Sequence, residues 1–247
     1  MSTINGVDYS WARPGGAAIK AAGFDFAVRY IDYPGANGKG LTPDEMADLH
    51  GNGVAVCLVF ESTAERALGG FTAGRVDAEM MRGALTVLGW PNDRPVYFAV
   101  DFDAWPSHQH AIDKYLRGAA SILGAERIGV YGGYWVIKRC DENGSAAWFW
   151  QTYAWSGGDV HPRNHIYQYR NGQTLNGGEV DYNYAYGSDY GQWLPATAKP
   201  EPAPVSWDTV LRQAMADRLA LMRLATEPDH LMVGRAVAQL RASGYPL

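Results

Sequence analysis

The sequence predicts an α/β chain: an irregular (β/α)8 barrel of TIM type, with short or missing late helices and a C-terminal helical tail. Three observations lead there. Eight short β-rich runs recur along the first 185 residues, with helical patterns between most of them. Within the runs one parity is bulky and the other lean or polar, as expected where one face meets helices and the other a narrow interior. After the fifth run the spacing between strands shrinks to roughly fifteen to twenty residues, near the lower limit for a helical crossover.

The runs are GVDYS (6–10), FAVRYI (26–31), VAVCLVFE (54–61), VYFAVDFD (96–103), IGVYGG (128–133), WFWQTYA (148–154), HIYQY (165–169) and VDYNYA (180–185). Between them, Thr42-Pro43-Asp44-Glu45 has the pattern of a capping box with proline at the first helical position, and 72–88 and 107–123 are long enough for helices of four turns or more. Strand, helix, strand implies parallel pairing with right-handed crossovers. In 96–103 the bulky parity is Val96, Phe98, Val100 and Phe102, and the lean one is Tyr97, Ala99, Asp101 and Asp103. The same division in 54–61 sets Ala55, Cys57, Val59 and Glu61 inward, and in 26–31 it sets Ala27, Arg29 and Ile31 inward. An open doubly wound sheet, covered on both faces, would favour bulk on both parities.

The barrel is expected over 1–195. Residues 196–205 form a proline-rich linker, with proline at every second position from Pro200 to Pro204. Beyond it, 206–247 reads as two helices broken at Pro228, with apolar stripes at Trp207, Val210, Leu211, Ala214 and Met215, then Met232, Val233, Ala236, Val237 and Leu240. Each stripe needs a partner surface, either the barrel itself or a second copy.

A net charge of −5 on 247 residues argues against strong nucleic-acid binding. No apolar run approaches the eighteen or so residues of a spanning helix, so no membrane insertion is expected. The start MSTINGVDYS lacks the basic and apolar parts of a signal peptide, so no export by the usual route is expected. Cys57 and Cys140 read as free thiols. GxSxG and HExxH are absent and His108 and His110 are two apart, so neither a metal nor a cofactor is expected. The glycine-rich GANGKG (35–40) matches no phosphate-binding pattern and reads as a mobile loop beside the cleft.

The chemistry is expected at the C-terminal ends of the strands, where the loops of such a barrel form the active face. Asp8, Glu61, Asp101, Asp103 and Asp181 all fall there, and Arg29 is expected to point inward beside them. Converging carboxylates repel one another, so some hold a proton while others stay ionised, the division that glycoside hydrolysis uses. Structural alternatives are an Asx turn or helix N-cap at Asp103, a turn cap at Asp8, and an ion pair between Glu61 and Arg29.

Together VDYS, YFAVDFD, GVYGGYW, YQY and VDYN resemble the family 25 glycoside hydrolases, the lysozyme-type muramidases of phages and bacteria. They resemble more closely a branch of glycoside-hydrolase-like domains, formerly of unknown function, from actinobacterial proteins and phage lysins. The likeness covers about residues 4–190. It implies roles for Asp8, Asp101 and Asp181, and puts Asp103 where family 25 carries its general-acid glutamate. Aspartate is one methylene shorter and would stop about an ångström short of the same leaving group. Either the acid is repositioned, with Glu61 a possible substitute, or the site binds glycan without cutting it.

From Trp148 to Trp193 the chain carries twelve aromatics, whose faces could stack on sugars or serve as barrel wall. Tyr131, Trp150, Gln151, Tyr167 and Gln168 are the expected substrate contacts. The resemblance implies a muramidase-like hydrolase acting on the β-1,4 linkages of cell-wall peptidoglycan, of phage endolysin type, expected in a host cytoplasm until release to the wall or on a virion. The alternative is a weak or inactive glycan-binding barrel in a phage tail or cell-surface assembly.

Overall fold

A computed structural model describes residues 3–33 and 38–195; the expected linker and two-helix tail lie outside the described residues. Eight strands close into one barrel in sequence order. They are β1 (Thr3–Tyr9), β2 (Phe26–Ile31), β3 (Ala55–Phe60), β4 (Val96–Ala99), β5 (Ile128–Gly132), β6 (Trp148–Thr152), β7 (Ile166–Leu175) and β8 (Gly178–Tyr186). Five helices fill the first crossovers: α1 (Gly16–Ala21), α2 (Pro43–Gly51), α3 (Gly70–Leu88), α4 (Gln109–Leu123) and α5 (Tyr134–Glu142). Among the described residues no helix follows β6 or β7, as the short spacing implies.

Pairing is parallel from β1 through β7, but β8 is antiparallel to both β7 and β1, which corrects the expectation of parallel strands throughout. The reason is local. Asn176 and Gly177 join β7 to β8 with φ of 47° and 78°, the two left-handed positions that a type I′ hairpin requires.

The outer faces of the strands pack on the helices through Val7, Val56, Leu58, Phe60, Phe98 and Val130. Where α3 meets α4 the backbones touch, because Gly74 and Gly118 have no Cβ to collide with the carbonyls of Tyr115 and Phe71. Buried Asp77 of α3 ties this layer together, accepting from Arg66 Nε at 2.7 Å, from Tyr115 Oη at 2.9 Å and from the Tyr33 hydroxyl. α2 starts on half of the expected capping box: Thr42 Oγ1 accepts from the Glu45 amide at 3.2 Å, while the Glu45 carboxylate turns to Arg13 and Arg29 instead.

Inside the barrel lie Phe26, Val28, Ala55, Cys57, Val59, Tyr97, Ala99, Trp150, Ile166 and Ala185. The lean-parity reading therefore holds for β3 and, up to its end at Ala99, for β4. It fails for β2, whose inward residues are Phe26, Val28 and Tyr30, so Arg29 points outward. Gly6 on the paired strand explains this, since a Cβ there would run into the Phe26 ring. One end of the cylinder is filled by the chain after β8: Tyr97 Oη donates to the Tyr190 carbonyl at 2.8 Å, and Tyr190 and Phe26 rings lie 4.7 Å apart. Trp193 pairs with Val56 and packs on Trp90 and His50 at the same end. Cys57 and Cys140 are buried and free.

Candidate active site

At the C-terminal ends of the parallel strands the interior turns from apolar to charged. Asp8 ends the inward row of β1, and antiparallel pairing sets Asp181 of β8 directly beside it. Asp8 Oδ2 accepts from Asn183 Nδ2 at 2.7 Å and from Gln168 Nε2 at 2.9 Å, and the same Gln168 nitrogen reaches Asp181 Oδ2 at 3.2 Å. Each amide is oriented by a partner below it: Tyr131 Oη donates to Gln168 Oε1 and Trp150 Nε1 to Asn183 Oδ1, both at 2.9 Å. The Gly172 amide donates to the other Asp181 oxygen at 2.8 Å.

Glu61 and Asp101 follow β3 and β4 across the barrel, where Lys39 Nζ lies 3.0 Å from Glu61 Oε2. In a ring of eight, β4 and β8 are opposite, so Asp101, two residues past the end of β4, and Asp181 of β8 belong to facing walls.

The electrostatics follow from burial and crowding. Asp8 is nearly inaccessible, and burial, then the charge of Asp181, push its carboxyl up to about 8 against the pull of Asn183 and Gln168. Burial and then Glu61 raise Asp101, while Lys39 and the Tyr131 hydroxyl oppose the rise. Asp181 is also raised by burial, and the Gly172 amide works the other way. Tyr30, from the inward row of β2, is raised well above the usual tyrosine range by burial and by the charges of Asp8, Glu61 and Asp101. Burial and crowding thus favour the protonated forms of Asp8, Asp101 and Asp181.

The structure thus brings together Asp8, Glu61, Asp101 and Asp181, with Tyr131 and Gln168 in direct contact with them or their partners. Trp150 is deeper, a fully buried ring under the site that acts through Asn183. Four expectations need correction. Asp103 does not share the cavity row: β4 ends at Ala99, and two residues past Asp101 the chain has turned so that Asp103 is exposed. Arg29 faces α2, where Nε meets Glu45 Oε1 at 2.7 Å, so it forms no pair with Glu61. Gln151 lies on the outward parity of β6 and holds the following loop, donating to the Asp159 carbonyl at 2.7 Å and accepting from the His161 amide at 2.8 Å. Tyr167 is on the outward parity of β7, away from the carboxylates, because the inward neighbours Ile166 and Gln168 take the other face.

Sequence reasoning missed Tyr30, Lys39 and Asn183. Asn183 was within reach, two positions beyond Asp181 on the same parity.

Residues 17–185 match the family model described as the Rv2525c-like, glycoside hydrolase-like domain. The chain belongs to this family. Rv2525c itself, from Mycobacterium tuberculosis, is 31% identical over 200 residues, spanning 76% of this chain and 82% of the relative, and its name proposes a peptidoglycan hydrolase. The crystal structure of that Tat-secreted protein with L-tartrate matches with a TM-score of 0.73 at 29% identity, over 78% of this chain and 100% of the other. A family 25 glycosyl hydrolase from Bacillus anthracis matches with a TM-score of 0.51 at 14% identity, over 76% of this chain and 93% of the other, a likeness of fold. Membership in the Rv2525c-like family places the chain among the glycosidase-type barrels, as the residue motifs imply. It also overturns the expected location, a host cytoplasm or a virion: the mycobacterial relative is a Tat-secreted protein. Among the described residues no helix is long and apolar enough to cross a membrane.

Proposed function

We propose that this Rv2525c-like barrel hydrolyses glycosidic bonds of bacterial peptidoglycan, with Asp101 and Asp181 as the working carboxyl groups and Asp8 setting their proton balance. The observation that carries the reading is the meeting of Asp8, Glu61, Asp101 and Asp181 at one rim, in surroundings whose burial raises Asp8, Asp101 and Asp181. Glycoside hydrolysis needs a proton donor on one side of the scissile bond and an ionised carboxylate on the other. Asp101, raised by burial and by Glu61, supplies the donor, and Asp181, more accessible than Asp8 and held by the Gly172 amide, supplies the anion. Asp8 is too deep to touch a sugar; its proton spares Asp181 a second adjacent charge.

A polysaccharide substrate is supported by the rim. Trp11, Trp105, Trp135, Tyr153 and Trp155 are each at least 41% exposed and follow β1, β4, β5 and β6 at their C-terminal ends. Exposed aromatic faces on one end of a barrel suit stacking on sugar rings. The mycobacterial relative named for a peptidoglycan hydrolase gives the substrate class. A phage-lysin setting has no support among these relatives, and the proposal does not extend to it.

The test is clearing of cell-wall suspensions by the Asp101→Asn and Asp181→Asn variants. Each is expected to lose about a hundredfold or more of the rate while keeping its fold. Variants that clear as fast as the parent would overturn the assignment. The second reading, a barrel that binds glycan without cutting it, draws on exposed Asp103, where family 25 carries its acid. Retention on purified peptidoglycan with no release of reducing ends would favour it.

A further inference from the structure

The fully buried, outward-facing Arg29 has a consequence for the site on the other side of β2. Its guanidinium lies 4.2 Å over the Tyr9 ring, donates to the Tyr9 carbonyl and to the Lys39 carbonyl, the latter at 3.1 Å, and meets Glu45 of α2. Arg13 approaches the same carboxylate, with Nε 3.0 Å from Glu45 Oε2, and its Nη2 donates to the carbonyls of Gly38 and Gly40 at 2.9 and 3.2 Å. Three consecutive carbonyls, 38 to 40, are therefore gripped by two guanidinium groups that share one glutamate. Backbone held in this way fixes the direction of the side chain between the glycines. That side chain is Lys39, 7% exposed, with its ammonium 3.0 Å from Glu61 Oε2 and 5.0 Å over the Tyr30 ring.

We propose that Lys39 is a positioning residue of the carboxylate site, set in place by Arg13 and Arg29 through Glu45, and that its ammonium fixes Glu61 and offsets the negative charge around Asp101. This rests on the carboxylate reading above and names a cation within it. Four acids on one rim would otherwise face one another with only amides and hydroxyls between them. A buried ammonium is a costly group to keep unless it is paired, and here both its partner and the aromatic face beside it belong to the site. The groups that act on Asp101 are Glu61, Lys39, Tyr131 and Asp181, with Asp8 and Tyr30 in the same cluster. Of these, Lys39 alone carries positive charge.

The test follows the Asp101 carboxyl carbon by NMR titration in the full chain, in the parent, Lys39→Met and Lys39→Arg, with kcat/KM recorded against pH on labelled peptidoglycan. Loss of the cation leaves Glu61 uncompensated beside Asp101, so the Asp101 midpoint in Lys39→Met should rise by about one pH unit, with the alkaline limb of kcat/KM moving the same way. Lys39→Arg should return both toward the parent. A residue that merely filled space would lower the rate without moving either. Should Lys39→Met not fold, Arg13→Gln at the outer end of the grip decides, with a smaller rise in the same direction expected. An unmoved midpoint in the variant that folds overturns the proposal. Asp101→Asn separates the two claims: parental turnover there contradicts the carboxylate reading, and an inert Asp101→Asn with an unmoved midpoint contradicts the Lys39 proposal alone.

Discussion

Asp8 and Asp181 lie side by side across the antiparallel β1 and β8 pair, and one nitrogen, Gln168 Nε2, donates to both at 2.9 and 3.2 Å. Two carboxylates this close cannot both be ionised cheaply, so the pair shares its protons and the amide between them sets how.

The pair makes the fold sensitive to pH. Burial and Asp181 raise Asp8 from an ordinary 3.8 to about 8, so the folded chain binds a proton that the unfolded chain has released over that interval. Stability from this group is therefore full below about pH 4 and is lost as the pH rises through about 8. Asp8→Asn removes the charge and keeps a group that can accept from Asn183 and Gln168. Its thermal midpoint should exceed that of the parent at pH 8 by the equivalent of a few kcal/mol, on the order of the linkage involved, and should match it near pH 4. Calorimetry at the two pH values checks this, and equal midpoints at pH 8 would count against a protonated Asp8.

Gln168 should matter for rate more than for stability. Gln168→Leu removes both donations and leaves the Tyr131 hydroxyl without its acceptor. We expect kcat to fall about tenfold to a hundredfold, with the pH profile displaced upward because the amide no longer favours the ionised forms. Steady-state kinetics across pH measure both, and a variant with parental kcat would show that the bridge is only structural.

Asp77 offers the opposite case, a buried charge remote from the carboxylates. Removing it takes the carboxylate from Arg66 and one acceptor from each of the Tyr33 and Tyr115 hydroxyls. Asp77→Ala should cost about 3–5 kcal/mol in urea unfolding, while activity per folded molecule stays near that of the parent.

The exposed tryptophans should act on binding. Trp105→Ala and Trp135→Ala each remove an aromatic face from the rim. A loss of about 0.5–1.5 kcal/mol per face corresponds to a rise in KM of about twofold to twelvefold on polymeric substrate, with kcat little changed. Unchanged KM in both variants would remove the rim from the binding surface.

Much of this was legible in the residue order, and the failures have physical causes. The parity contrast sets Glu61 and Asp101 inward because β3 and β4 place alanine and cysteine against the interior, but it runs on to Asp103, where β4 has already ended. On β2 the same rule chose the wrong face, since bulk at Phe26 is accommodated by Gly6 on another strand, a compensation invisible within one run. The Asn176-Gly177 dipeptide is a strong hairpin signal that the expectation of parallel strands does not take in. Lys39 was hidden for a different reason: nothing local tells a loop lysine that Arg13, Arg29 and Glu45 will turn it inward. Residue type alone points to Gln151 and Tyr167, although each sits next to an inward neighbour and so must face the other way.

The most direct measurement is the release of reducing ends from purified peptidoglycan by the parent, Asp101→Asn and Asp181→Asn, with the products identified by mass spectrometry. Steady release of glycan fragments by the parent, cut to the background rate in both variants, is the predicted result. Fragments produced equally by all three proteins, or by none, would contradict hydrolysis by the facing pair.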